Sequence, residues 1–417
     1  MENIKAVVLA AGLGTRMNTE VPKVLHHVGS ETLIGEVLRS LKEAGILDIV
    51  VVVGYRADLV REVCAGEGIT FVEQKELLGS GDALKQAMGK MDNFSGDALI
   101  TYGDAPLITP ETYKKLVLKH RNDNAVCTVL TTRMDNPSSY GRVLKDLKGD
   151  IVDIVEEPEA TAEEKAIKEV NVGTYCFRGE EMRRFIPQIA INKKKSEFYL
   201  TDIIRILSRN KQKISSEWCH QEEAIGVNSR KDLATISKIL NKKTAQKLME
   251  SGVTIIDPEN TYIDKTARIG KDTTIFPFTV IEKDVEIASG CSIGPFARLR
   301  PGTKIANGVE IGNFVEVVRS EIGDNTKVKH HTYLGDTSVG RGVNIGAGTI
   351  TANYDGKKKN RTVIEDGAFI GVGVTLIAPV KVGKKAVVGA GSVVTKNKNV
   401  ADGEVVIGVP ARPLKEK

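Results

Sequence analysis

A glycine-rich turn after a short apolar run, Leu9-Ala10-Ala11-Gly12-Leu13-Gly14-Thr15-Arg16-Met17, is the first place where residue types and spacing suggest chemistry. Two glycines let a backbone approach an anion and aim N–H groups at phosphate oxygens. Arg16 and Lys23 add two cations, and Pro22 stiffens the approach. Glycines alone fit a plain tight turn; joined to Arg and Pro-Lys they point to phosphate binding. The turn is not the dinucleotide fingerprint, because Met17 stands where a third glycine is needed, and no Gly-Lys-Ser/Thr follows to make a phosphate-loop ATPase. Asp104 lies just past another apolar run, residues 98–102. Open α/β sheets bind ligands at such strand ends, and a carboxylate there can hold Mg²⁺ shared with substrate phosphates. A lone strand-end aspartate is also a common turn or capping residue. His330 and His331 are the only histidines beyond residue 250. Two adjacent histidines are poor ligands for one zinc ion, and a solvated corner accounts for one of them. Histidine also suits a general base near neutral pH.

The elements that must position these residues fall into two halves. From residue 1 to 228, apolar runs at 6–10, 49–53, 69–72, 98–102 and 125–130 alternate with helical patterns, predicting a mostly parallel, Rossmann-like α/β sheet with helices on both faces. Leu33, Ile34, Val37, Leu38 and Leu41 recur at helical spacing, with Gly45 as the stop. Residues 229–250 read as a connecting helix with Ser229 as cap and Gly252 at its end. In residues 251–417 the period becomes six. Ile263, Ile269, Ile275, Ile281, Ile287, Ile293, Leu299, Ile305, Ile311 and Val317 are ten successive aliphatics, a run with a chance probability on the order of one in a million for a given register. The period slips at Ile322 and again at Val339, then returns from Ile364 to Val406. A six-residue repeat marks a hexapeptide parallel β-helix, aliphatics inward and glycines such as Gly270, Gly294, Gly312 and Gly346 at corners. Residues 353–362 break the period and must project from the prism, where loops commonly carry function.

Composition limits the classes of function. The chain has 417 residues, 41% hydrophobic and 27% charged, which suits two globular domains rather than disorder. No apolar run approaches the roughly 20 residues of a membrane span. Five scattered cysteines lack metal or redox spacing and suggest reduced thiols in a cytosolic protein. A net charge of +5 suits anionic small substrates and is too weak to argue for nucleic acid.

The loop motif followed by Pro22-Lys23-Val24-Leu25 strongly resembles the sugar-1-phosphate nucleotidylyltransferases. Joined to the hexapeptide half, the chain resembles the bifunctional N-acetylglucosamine-1-phosphate uridylyltransferase/glucosamine-1-phosphate acetyltransferase family along nearly its whole length. Tyr102-Gly103-Asp104, Tyr140-Gly141-Arg142, Glu197-Phe198-Tyr199-Leu200-Thr201-Asp202, Gly226-Val227-Asn228, His331-Thr332-Tyr333-Leu334-Gly335-Asp336, 343–349 and Asn353-Tyr354-Asp355-Gly356 extend the likeness. The resemblance implies a left-handed β-helix, a cytoplasmic homotrimer, and Mg²⁺, UTP and acetyl-CoA as cofactor and substrates. It implies Arg16 and Lys23 as charge stabilisers in uridylyl transfer. Nucleotide contacts are implied for Leu9, Ala10, Gly12, Gly14, Gln74, Gly79, Ser80 (where the family usually has Thr) and Tyr102, and metal ligation for Asp104 and Asn228. Gly141, Glu156, Asn171, Thr201 and Asn228 match the acetylated-sugar and phosphate site. In the repeat half His330 matches the general base that deprotonates a glucosamine amine. Arg300, Tyr333, Asn344, Asn353, Tyr354, Lys359 and Ala390 match acetyl-site positions.

Two departures bear on the second activity. Val318 stands where the family usually has a phosphate-holding lysine, and Gly408 replaces an arginine of the acetyl-CoA site. Arg319 is adjacent, but neighbours on a strand point to opposite faces. The expected reading is uridylyl transfer to N-acetylglucosamine-1-phosphate with acetyl transfer in the β-helix. The alternatives are a monofunctional nucleotidylyltransferase whose β-helix only oligomerises or regulates, and a non-catalytic scaffold.

Overall fold

The computed structural model describes residues 1–92, 94–192 and 196–414. The chain folds into two compact units, Met1–Ser237 and Lys238–Lys417. The first is built on a sheet of nine strands: β1 (Ile4–Ala10), β2 (Asp48–Val53), β3 (Ile69–Glu73), β4 (Asp97–Tyr102), β5 (Cys127–Arg133), β6 (Arg142–Lys145), β7 (Ile151–Val155), β8 (Glu169–Arg178) and β9 (Ile214–Trp218). Their main order is β9-β5-β8-β4-β1-β2-β3, with the β6-β7 hairpin attached through β8. Strand β1 is apolar on both sides because both are covered. Val7, Leu9 and Ala11 enter one core and Ile4, Ala6, Val8 and Ala10 the other.

The chain runs outward from β1 through β2 and β3, then returns to lay β4 along the other edge of β1, with Val8 beside both Val51 and Thr101. The strand order thus reverses at β1, and the crevice at the C-terminal ends of β1 and β4 is the place where such sheets bind ligands. The glycine turn leaves β1 there, and Asp104 lies just past β4. Helix Leu33–Glu43 begins at Thr32, whose side chain accepts from Gly35 N at 3.1 Å. Gly45 follows it with φ +84°, a conformation that suits glycine just past a helix.

Strands β1 to β5 fall where the apolar runs predicted, whereas β9, parallel to β5, lies on none of those runs. The antiparallel β8 is not evident from sequence, because a bulge between Asn171 and Tyr175 interrupts its alternation and Gly173 sits inside it with φ +86°.

Ser229 and Asp232 exchange backbone and side-chain bonds at the start of helix Arg230–Glu250. Gly252, with φ +95°, lies just beyond it. Within the second unit, Ala245 and Leu248 of this helix join the aliphatic core. Asn241 accepts from Ile263 N at 3.0 Å and donates to Thr261 O at 2.8 Å, satisfying the first coil's open edge.

The repeats build three sheets of ten, eight and seven strands, parallel throughout except that the last strand of the ten, Arg412–Pro413, pairs antiparallel. Ile263, Ile281, Leu299, Val317 and Leu334 stack in one column, each buried. Pairing explains both slips in the period. Ile287 faces Ile305, an 18-residue coil; Ile305 faces Ile322 and Ile322 faces Val339, coils of 17. Val339 then faces Ile364 across 25 residues, and 18 returns with Ile364 opposite Val382. Both deletions and the insertion occur at one corner of the prism, so strand register is undisturbed. Gly312 corrects an expectation: it lies inside a strand, Glu310–Asn313, and a Cβ there would collide with Lys329 O of the next coil. Its need is close stacking of coils rather than a turn.

Candidate functional site

In the first unit the glycine turn is shaped by one close approach. Gly14 has φ +63°, and a Cβ on it would lie 2.7 Å from Lys23 Cβ. Only glycine lets the 14–17 turn fold onto Lys23. The Lys23 ammonium contacts the Asp104 carboxylate, both largely buried. Arg16 Nη2 donates to Asn228 Oδ1 at 2.8 Å, across 212 residues of sequence. Val227 N donates to Asp104 O at 3.0 Å, which fixes the 226–228 segment beside the strand end. Gly103 N bonds to Leu9 O at 3.0 Å, and Gly103 packs on Ala10. Leu9, Ala10, Gly14, Arg16, Lys23, Asp104 and Asn228 are thus linked, while Gly12 is exposed at the rim. Asp104 and Asn228 offer hard oxygen donors, each matched by a cation of this chain. That set fits a hard divalent ion with two protein ligands, the remaining positions falling to phosphate oxygens and water.

A second group lies at the end of β3 and the start of helix Ser80–Ala87. Gln74 is buried; its Nε2 donates to Gly79 O at 3.0 Å and Asp82 Oδ2 at 2.7 Å. Ser80 Oγ accepts from Leu200 N at 3.2 Å, near the Tyr102 hydroxyl. Burial pushes the Tyr102 phenol up to about 12, so it stays protonated as a donor. Its ring lies on Gly173, where a Cβ would sit 2.7 Å from Tyr102 Cε2.

The third group follows from that packing. Thr201 donates to Glu156 Oε1 at 3.0 Å, and Gly141 faces the same carboxylate. Asn171 N bonds to Gly141 O at 2.9 Å, and Asn171 Nδ2 donates to Tyr175 Oη at 2.8 Å. Desolvation raises the Glu156 carboxyl above its ordinary range, and Glu159 and Asp202 add to this against the Thr201 bond. A raised carboxyl penalises folding once the unfolded chain ionises. Relative to wild type, Glu156→Gln is therefore expected to gain melting temperature as pH rises from about 4 towards 7, with little difference at lower pH. A gap independent of pH would mean that Glu156 is well solvated.

In the β-helix, His330 and His331 do different things. His330 Nδ1 bonds to Asn313 Oδ1 at 2.8 Å, one coil below. With an oxygen accepting there, Nδ1 carries the proton and Nε2 keeps its lone pair. His331 instead stacks on Phe314 at 5.0 Å, continuing a ladder of Phe278, Phe296 and Phe314 with centroids 5.0 and 5.1 Å apart. All four have positive φ, and the three phenylalanines are about half exposed. Above His331 this corner turns to glycine: Gly348, Gly373 and Gly391, each bonded through N–H to the coil below. This glycine column runs beside the column of His330, Ala347, the exposed Val372 and the exposed Ala390.

The irregular corner gathers a polar cluster. Arg319 donates twice to Asp336, at 2.7 and 2.8 Å, and Asn353 Nδ2 bonds to the same carboxylate. Arg319, first, and then Asn353 and Lys359 hold the Asp336 carboxyl below its ordinary range. Tyr333 Oη and Asn353 Nδ2 converge over Gly335. Arg300 pairs with Glu316 at 2.8 Å. Tyr354 is exposed in the projecting loop, its hydroxyl on Gly356 O at 2.8 Å and its backbone bridged to Lys359. Asn344 pairs through its backbone with Lys327 in the sheet that carries His330, apart from this cluster. Val318 is 1% exposed, and Arg319 is committed to Asp336. Asn313 and Asp336 are partners that sequence reasoning does not single out as site residues. A partner one coil away is within reach of the repeat, but only once the 17-residue coils are recognised.

No helix among the described residues is long and apolar enough to cross a membrane. Residues 6–161 match the pattern of MobA-like NTP transferase domains. Residues 266–301 match the bacterial transferase hexapeptide (six repeats), and 361–396 the hexapeptide repeat of succinyl-transferase. The chain is 41% identical to the bifunctional protein GlmU of Syntrophomonas wolfei, covering 94% of this chain and 95% of that protein. It is 43% identical to the GlmU of Carboxydothermus hydrogenoformans, again covering 94% and 95%. With the GlmU of Caldanaerobacter subterraneus the identity is 39%, covering 100% and 97%.

Proposed function

The chain belongs to the bifunctional GlmU family, and we infer that its first unit transfers a uridylyl group from UTP to N-acetylglucosamine-1-phosphate, giving UDP-N-acetylglucosamine and pyrophosphate. The observation that carries this reading is the linked set of Arg16, Lys23, Asp104 and Asn228 at the strand-order reversal. In-line attack of the sugar phosphate oxygen on the α-phosphorus forms one P–O bond and breaks the bond to the departing pyrophosphate. No protein nucleophile is needed, and positioning with charge stabilisation does the work. Asp104 and Asn228 would hold Mg²⁺, which neutralises phosphate charge in such transfers. Arg16 and Lys23 spread the charge of the leaving pyrophosphate. Glu156, Thr201 and Asn171 hydrogen-bond the acetylated sugar, and Gly141 leaves room for it.

The β-helix transfers acetyl from acetyl-CoA to the amine of glucosamine-1-phosphate. His330 Nε2 takes the amine proton as nitrogen attacks the thioester, and the C–S bond breaks to release the thiol. The glycine strip above His331 leaves room for an extended thioester arm reaching towards Ala390. Arg300, Tyr333, Asn344, Asn353, Tyr354 and Lys359 hold the acceptor. We further propose a cytosolic homotrimer in which the half-exposed aromatic ladder is covered; a monomeric mass by light scattering would reject it.

The test is a paired assay on one preparation. It follows pyrophosphate from UTP plus N-acetylglucosamine-1-phosphate, and thiol from acetyl-CoA plus glucosamine-1-phosphate. Both products are expected. Pyrophosphate without thiol would favour the monofunctional reading, which the buried Val318 and the committed Arg319 support.

A further inference from the structure

The Gln74 amide has a fixed sense. Its nitrogen donates both hydrogens, to the Gly79 carbonyl and the Asp82 carboxylate, and both partners only accept. A flipped amide would set oxygen against oxygen at both contacts. Asp82 is 8% exposed and is itself held, its other oxygen accepting from Gln86 Nε2 at 3.1 Å. The segment carrying Gly79 is clamped too. Gly81 N donates to Phe198 O at 2.7 Å, and a Cβ on Gly79 would lie 2.7 Å from that oxygen. Among the described residues nothing donates to Gln74 Oε1, so the side chain offers a ligand one acceptor and no donor.

We propose that Asp82 is a positioning residue for base selection. By holding the Gln74 amide nitrogen, it turns Oε1 outward to accept from the base. Among pyrimidines, uracil carries an N3–H that can donate to such an oxygen. Cytosine has a lone pair at the same ring position, so oxygen would meet lone pair. The inference rests on the reading that Gln74 lines the nucleotide site.

The experiment measures kcat/KM for pyrophosphate release with UTP and with CTP, at fixed N-acetylglucosamine-1-phosphate. The proteins are wild type, Asp82→Ala, Asp82→Asn, Gln74→Ala and Gln74→Ala/Asp82→Ala, each checked by melting temperature. Wild type is expected to prefer UTP by on the order of 100-fold, since a misplaced base leaves a buried acceptor unpaired. In Asp82→Ala the amide is free to turn, and the preference is expected to shrink by roughly tenfold or more, chiefly through loss of UTP efficiency. Asp82→Asn still accepts through Oδ1 and is expected to keep most of the preference. The double variant is expected to be no worse than Gln74→Ala, because Asp82 acts through Gln74. A loss in Asp82→Ala equal for UTP and CTP would overturn the proposal, leaving Asp82 a structural residue. So would a double variant clearly below Gln74→Ala. Wild type that uses neither nucleotide, or both equally, would remove the parent reading of Gln74 and this inference with it. That failure is visible without any variant.

Discussion

Asp104→Ala is expected to lower pyrophosphate release by on the order of 10²–10³-fold while thiol release stays within about twofold of wild type. Asp104 supplies the carboxylate at the reversal of the sheet, and its charge is matched by Lys23. Removing it takes away the carboxylate proposed to hold a divalent ion and leaves the Lys23 ammonium without its counter-charge. Asn228 keeps its amide but offers only a neutral oxygen. The acetyl chemistry draws on a separate unit with its own core, so it serves as an internal control for folding. A loss below tenfold at saturating magnesium would remove Asp104 from the reaction. Equal loss of both activities would instead point to a folding defect.

The mirror experiment is His330→Ala. Thiol release is expected to fall by ~10²–10⁴-fold, the usual range for a positioned general base, with pyrophosphate release unchanged. The Asn313 bond argues for this residue over its neighbour, because it leaves Nε2 with a free lone pair. His331→Ala should instead disturb the aromatic ladder, and its effect should appear in stability rather than in proton transfer. If His330→Ala retained more than a tenth of the wild-type rate, the amine would have to lose its proton elsewhere.

What the sequence disclosed follows the range of each interaction. The glycine turn, Pro-Lys and Asp104 are legible because each is a short motif beside an apolar run, and strand ends are where ligands sit. The hexads are legible because an aliphatic recurs every six residues without interruption from Ile263 to Val317. Arg16 on Asn228 was not, since a hydrogen bond across 212 residues leaves no local trace. Asp82 escaped for a different reason: a helix's first turn favours an aspartate anyway, so its hold on Gln74 looks ordinary in one dimension. The slips at Ile322 and Val339 were visible, but only pairing shows that both fall at the corner where the loop emerges.

That corner makes the loop a detachable cassette. The coil from Val339 to Ile364 exceeds a regular one by seven residues, and the pairs on either side keep their register. Backbone pairing joins each coil only to its neighbours, while the excursion's own side chains reach the stack at Asn353 on Asp336, Asp355 on Lys396 and Arg361 on Glu321. Trimming seven residues from the 353–362 excursion would yield an ordinary 18-residue turn, a continuous prism without Tyr354 and Lys359 held out in solvent. The fold would then stand as bare architecture, and the loop could be exchanged, lengthened or retuned between relatives with the prism as an unchanging chassis.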